Sequence, residues 1–125
     1  MGRVLVVDDH EDIRKMLARL VRSHGHESVA AADGTEAIAL ATESAFGLII
    51  LDLMMPGITG FDVLRNLRSD PRTKTVAIVI YSALGDSDFI EQALSLGAND
   101  YWVKGTFDIV GLGTWLNYYL AEGKQ

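Results

Sequence analysis

The 125-residue chain has no cysteine, only two prolines and no long apolar run. The absence of cysteine excludes disulfides, zinc-thiolate centres and thiol chemistry, and it fits a reducing compartment. A membrane-spanning helix needs about 20 consecutive apolar residues, and the chain offers none. The N-terminus, Met1-Gly2-Arg3 followed by four apolar residues and then acids, lacks the longer apolar stretch and small-residue cleavage site of a secretory signal. The expected location is therefore the cytoplasm. Positive charge is also scarce, with 11 Lys and Arg against 17 Asp and Glu and a net charge of −6, which argues against nucleic acid as a direct partner. An apolar fraction of 49% with 22% charged residues is that of an ordinary globule, and the length suits one domain over residues 1–125.

Short apolar runs alternate with amphipathic segments from end to end. That alternation predicts an α/β fold: a doubly wound parallel sheet of five strands with five helices on its two faces. Strands are expected at 3–8, 27–32, 47–52, 76–81 and 100–104. The second has the least apolar composition and is the expected edge. Ile13, Leu17, Leu20 and Val21 recur at helical spacing after the first strand, as do Ile90, Ala93 and Leu94 after the fourth. Asp33 with Glu36 resembles a capping box, and Gly25 and Gly97 stand where a left-handed residue would end a helix. Pro56, Gly57 and Gly60 punctuate the turn before the third helix. The last helix is the weakest, because Gly111 and Gly113 together cost about 2 kcal/mol of helix propensity. Its stripe of Ile109, Leu112, Leu116 and Leu120 must hold it by packing.

Two apolar runs end in acids: Val4 to Val7 in Asp8 and Asp9, and Leu48 to Leu51 in Asp52. A carboxylate at the tip of a buried strand is tolerated only when it is paired, coordinated or used. All strands of a parallel sheet end on one edge, and ligands bind in the crevice outside it. Asp8, Asp9, Asp52, Ser82 and Lys104 all fall there. Carboxylates about 4 Å apart repel by roughly 4 kcal/mol per pair at an effective dielectric near 20, and one lysine cannot neutralise three of them. The surplus suits a hard divalent cation with oxygen ligands, and Mg²⁺ is the natural candidate. Beside such an ion an aspartate is a competent nucleophile for phosphoryl groups. In that scheme Asp8 and Asp9 hold the metal, Asp52 attacks, and Lys104 and Ser82 bind phosphoryl oxygens.

Four motifs then stand in order: Val6-Val7-Asp8-Asp9 with Arg14 in the following helix; Leu51-Asp52-Leu53-Met54-Met55-Pro56-Gly57 with Gly60; Tyr81-Ser82-Ala83; and Gly97-Ala98-Asn99-Asp100-Tyr101-Trp102-Val103-Lys104. Over essentially its whole length the chain resembles a response-regulator receiver domain of the chemotaxis-regulator kind. The resemblance implies a flavodoxin-like sheet in the order 2-1-3-4-5 and phosphorylation of Asp52 by a sensor histidine kinase or histidine phosphotransfer protein. It also implies a Mg²⁺ site of Asp8, Asp9, Asp52 and the Met54 main-chain carbonyl. Ser82 and Tyr101 would then be switch residues that re-form the surface of helix 4, strand 5 and helix 5 for a downstream protein. A phosphoacceptor module of this kind is not a turnover enzyme, and it is expected as a monomer or weak homodimer. Whether it stands alone or belongs to a longer protein is open.

The chain departs from the family pattern after the lysine, where proline is usual and Gly105 stands here. A cis bond before a non-proline residue costs about 2.5 to 4 kcal/mol, so a trans peptide is expected, with a shifted loop free to carry Lys104 out of the crevice. Met54 and Leu84, two residues beyond Asp52 and Ser82, offer no group to orient a water, so hydrolysis of an aspartyl phosphate is expected to be slow.

Other features have plainer readings. His10 is taken as a surface residue without a role, and His24 and His26 suit the negative end of the first helix dipole. Lys15, Arg19 and Arg22 form a basic stripe, either a solvated face or a docking surface for the donor. Tyr101 is either a sheet aromatic or a moving residue, and Trp115 and Tyr118 either pack inward or mark a contact patch. Two rival readings remain. A haloacid-dehalogenase-type phosphohydrolase would need its nucleophile on the first strand with a second aspartate two residues later, whereas the acids here are adjacent. A degenerate receiver acting only as an interaction platform is encouraged by Gly105 alone.

Overall fold

The structure is a computed structural model that describes residues 2–105 and 109–120, without the side chains of Ile109 and Val110. Strands and helices alternate: β1 (Arg3–Val7), α1 (Glu11–Ser23), β2 (Glu27–Ala31), α2 (Gly34–Glu43), β3 (Leu48–Leu51), α3 (Gly60–Ser69), β4 (Ala77–Ser82), α4 (Ser87–Ser95), β5 (Asp100–Val103) and α5 (Ile109–Leu120). The five strands form one parallel sheet in the order β2-β1-β3-β4-β5. The predicted fold class and strand order hold, and β2 is an edge.

The apolar runs read as continuous because both faces of the sheet are covered. Side chains alternate across a strand. Leu5, Val7, Ile49, Leu51, Ile78 and Ile80 pack into one core with residues of α2, α3 and α4. Their neighbours Val4, Val6, Leu48, Ile50, Val79 and Tyr81 pack into a second core with α1 and α5. A strand buried on both sides has no polar face to alternate with, which is why periodicity alone would have missed it.

Local chemistry sets the helix ends. Asp33 caps α2 by accepting from the Glu36 N–H at 2.8 Å, while the Glu36 carboxylate reaches one residue further back to Ala32 N at 2.8 Å. The box expected there is thus displaced by one residue on its return arm. The complete capping box lies instead on α3, between Thr59 and Asp62, where the sequence shows only turn signals. Gly25 and Gly97 have positive φ, as their positions after α1 and α4 predicted. β5 is held in register by Asn99, whose side-chain oxygen accepts from Ile78 N at 2.8 Å and from Arg68 Nη2 at 3.0 Å.

The two glycines of α5 acquire a reason. A Cβ on Gly111 would overlap the indole of Trp102, and one on Gly113 would lie 2.8 Å from His24 Nε2. Small residues there let α5 approach β5 and the end of α1. Leu112, Leu116 and Leu120 are buried as the stripe required, while the side chain of Ile109 lies outside the described residues.

Trp102 also packs edge-on against Trp115, with ring centroids 4.7 Å apart, so its ring has little room to yield. Gly111→Ala should therefore destabilise the protein by about 1–3 kcal/mol through overpacking. Helix propensity alone would make the same change stabilising by about 1 kcal/mol, and urea denaturation distinguishes the two signs.

Candidate functional site

The site grows out of strand register. Val7 of β1 pairs with Leu51 of β3, so Asp8 and Asp52 emerge side by side, each one residue past its strand. Both peptide N–H groups continue the ladder, Asp52 N to Val7 O at 3.0 Å and Asp8 N to Ala31 O at 3.2 Å. Their carboxylates are nearly sealed from solvent, with residue exposures of 1% for Asp8 and 2% for Asp52. Gly60 brings the start of α3 against this edge, its N–H donating to Leu53 O at 3.0 Å. A Cβ there would collide with the Asp52 carbonyl, so only glycine permits the approach.

Lys104 answers the buried charge. Its ammonium lies 2.8 Å from Asp8 Oδ2 and 3.3 Å from Asp52 Oδ2, and 5.5 Å from the centre of the Tyr81 ring. The displacement of Lys104 that a shifted loop would allow does not occur. No peptide bond among the described residues is cis, the Lys104–Gly105 bond included, and Gly105 takes φ +95°. The Lys104 N–H still donates to Ser82 O at 2.7 Å, so the ladder fixes the lysine before the chain turns at the glycine. The shifted loop expected beyond it falls on residues 106–108, outside those described.

The charges remain in tension. Burial raises the Asp52 pKa above its ordinary value, the Lys104 charge opposes that rise, and the Asp8 charge adds to it. For Lys104, burial works against the ammonium, but the hydrogen bond from it to Asp8 and the charges of Asp52 and Asp8 prevail and raise its pKa.

Asp9 shows where the remaining charge sits. Its Oδ1 is buried with no hydrogen-bond partner, although His10 Nδ1 approaches to 3.2 Å. A buried carboxylate oxygen without a donor is costly and asks for a cation. Ligand atoms of Asp8, Asp9, His10 and Asp52 all lie within 4.8 Å of one another. The orphaned oxygen and the all-carboxylate core fit a hard divalent ion. His10 is exposed, as expected of a surface residue, yet its ring stands 3.0 Å from Asp8 Oδ1 and its N–H donates to the same oxygen at 2.9 Å. Adjacency to the acid pair was the available signal, and a loop histidine carries no periodicity to strengthen it.

Ser82 is the last residue of β4 and is fully buried, its hydroxyl accepting from Leu84 N at 3.3 Å. Among the described residues no hydrogen bond joins it to Asp52. Tyr101 of β5 donates its hydroxyl to the Leu84 carbonyl at 2.6 Å, which ties the ring to the loop that follows Ser82. Its pKa is raised, first by burial, with the neighbouring Ser82 hydroxyl acting the other way. Met54 donates its N–H to Asp52 Oδ1 at 3.2 Å while its side chain is exposed. Arg14 secures the first loop through its guanidinium, 2.8 Å from Asp8 O. Lys15, Arg19 and Arg22 are exposed along α1, and Lys15 pairs with Glu11 at 3.3 Å.

Residues 4–110 match the family model described as the response regulator receiver domain. The chain is 39% identical over 110 residues to the response regulator PleD of Caulobacter vibrioides, covering 87% of this chain and 24% of that protein. It therefore spans about a quarter of that relative. To the chemotaxis protein CheY of Pseudomonas aeruginosa it is 36% identical over 103 residues, covering 82% of this chain and 83% of that one. The response regulator TrrA of Thermotoga maritima, solved in complex with Mg²⁺-BeF, superposes with a TM-score of 0.84 at 32% identity, over 95% of this chain and 99% of that one.

The raised Asp52 pKa carries a stability consequence. The folded state holds that proton more tightly than the unfolded chain, so above the carboxylate range the ionised group costs stability, and the cost fades as pH falls. In metal-free buffer at pH 7, Asp52→Asn should raise the melting temperature by about 3 to 5 °C, as relief of about 1 kcal/mol would. The gain should shrink towards pH 4, and thermal scans across that range check it.

Proposed function

This chain belongs to the response regulator receiver domain family, and from that membership we propose that residues 1–125 act as one receiver domain whose Asp52 accepts a phosphoryl group. Receiver domains are signalling domains of two-component systems, not classical enzymes. The observation that carries the assignment to Asp52 is the bridging ammonium of Lys104 on both Asp8 and Asp52, beside the orphaned oxygen of Asp9.

In the proposed reaction an Asp52 carboxylate oxygen attacks phosphorus as the bond from phosphorus to a histidine nitrogen of the donor breaks. The donor is a sensor histidine kinase or a histidine phosphotransfer protein. Lys104 then exchanges its contact with Asp52 for one with a phosphoryl oxygen while keeping Asp8, and charge on the transferred group is stabilised where it develops. Asp8, Asp9, Asp52 and the Met54 carbonyl would hold Mg²⁺, which neutralises phosphoryl charge when bound. The Mg²⁺-BeF complex of TrrA, a structural relative, supports the choice of ion.

Ser82 and Tyr101 are the proposed switch. The Tyr101 hydroxyl already reaches the Leu84 carbonyl, so a hydroxyl at Ser82 drawn towards a phosphoryl group would move the same loop that Tyr101 grips. The readout is a downstream protein on the α4, β5 and α5 surface. No helix among the described residues is long and apolar enough to cross a membrane; the proposed location is the cytoplasm.

Incubation with acetyl phosphate and Mg²⁺ followed by intact mass measurement should yield an adduct of about 80 Da, the mass of one phosphoryl group. The adduct should vanish in Asp52→Ala and form about 100-fold more slowly in Lys104→Ala, as when one donor to developing charge is lost. Absence of an adduct from the unaltered protein would overturn the proposal.

The Met54 and Leu84 side chains carry no polar group with which to align a water. Decay of the phosphorylated protein in Mg²⁺ should therefore be slow, and Met54→Asn should hasten it. Decay of the unaltered protein within seconds would contradict this.

A further inference from the structure

At the far end of β5 from the acidic crevice, the outward surface of α5 frames a hollow of about 330 Å³ lined by Asp100, Thr114, Trp115, Tyr118 and Tyr119. Asp100 opens β5 and Lys104 follows its end, so four residues at about 3.3 Å each separate the two sites by roughly 13 Å. Positions 114, 115, 118 and 119 fall on one side of a helix. Three aromatic rings and one carboxylate therefore share a single opening.

The carboxylate is oriented but not neutralised. Asp100 Oδ1 accepts from Tyr101 N at 2.8 Å and Oδ2 from Trp115 Nε1 at 2.9 Å. Each oxygen keeps a further lone pair for another donor. Among the described residues no lysine, arginine or histidine comes within ion-pairing distance of it, and α5 itself contains no charged residue. The negative charge also reaches the rings, since the Tyr119 pKa is raised by burial and then by Asp100. Tyr118 is 65% exposed and its ring meets that of Tyr119 edge-on, with centroids 4.9 Å apart.

A fixed carboxylate with no counter-cation among the described residues, sharing its opening with three aromatic rings, is the chemistry that selects an organic cation. We propose that this hollow receives an arginine side chain of a partner protein. The guanidinium stacks on the aromatic faces and donates to Asp100. A planar cation suits the opening better than an ammonium, because it stacks and hydrogen-bonds at once and is more weakly hydrated. α5 itself is uncharged, and among the described residues no cation competes for the opening. The contact needs no phosphoryl group at Asp52.

The test follows the Trp115 indole N–H by NMR, since that proton lies on Asp100. Titration with acetyl-Gly-Arg-Gly-amide should shift it saturably in the millimolar range. The citrulline counterpart, of the same shape but neutral, should bind at least about fivefold more weakly, and Tyr118→Ala should weaken the arginine peptide by a similar factor. Asp100→Asn, which leaves an acceptor for the indole, should abolish the preference for arginine over citrulline. Equal binding of the two peptides, or binding unchanged in both variants, overturns the proposal. Butylguanidinium bound about tenfold more tightly than the peptide would assign the hollow to a free organic cation instead. The same titration on Asp52→Ala should be unaltered, which separates this outcome from the fate of the phosphoacceptor reading.

Discussion

Everything at the functional edge depends on one ammonium held between two buried carboxylates. Asp8 and Asp52 are adjacent because β1 and β3 are hydrogen-bonded neighbours in register, and burial opposes the ionisation of Asp52. Lys104 comes from the opposite end of the sequence, 96 residues from Asp8, and arrives because β5 lies beside β4. Its placement requires the whole order of the sheet. The ion pair is therefore a consequence of topology, and the charge it leaves over is what makes the site capable of more than structure.

The acidic crevice has a surplus that no side chain among the described residues removes. Asp9 retains a buried oxygen without a donor, and His10 leans over the pair without closing it. A protein maximising stability would replace one of these acids. Keeping all of them is sensible if a cation and a phosphoryl group complete the set, which is the proposed use. Close packing below the crevice, with Gly60 admitting α3 to the Asp52 main chain, keeps the acids from relaxing apart.

The opposite boundary of the molecule is built on different terms. α5 carries no charge and has two glycines, so its place is set by contact with Trp102, His24 and the leucine stripe. β5 joins the two regions. One end of it presents Asp100 to the aromatic hollow, its middle carries Tyr101 to the loop after Ser82, and its end delivers Lys104 to the acids. A shift of this one edge strand would be felt in all three places, which gives the proposed switch a physical route from site to surface.

Much was legible before any coordinates. The alternation of apolar runs with amphipathic segments was enough for the parallel sheet, because strands buried on both faces have no other composition open to them. Acids ending two such runs located the crevice, because burial forbids an idle charge. What could not be read were relations between residues far apart in the chain. Gly105 pointed to a displaced lysine, yet the Lys104 main chain is held by Ser82, a partner 22 positions away whose pairing follows only from β4 lying beside β5. Gly111 and Gly113 counted as losses for a helix, since propensity sees only neighbours in sequence, and became fitting places for Trp102 and His24 once α5 docked. His10 and Asp100 looked ordinary for the same reason. Sequence pattern alone determined the elements and where acidic charge collects, because both follow from local periodicity and the energetics of burying charge. Tertiary structure decided which charges meet, because Coulomb and packing energies depend on distance in space.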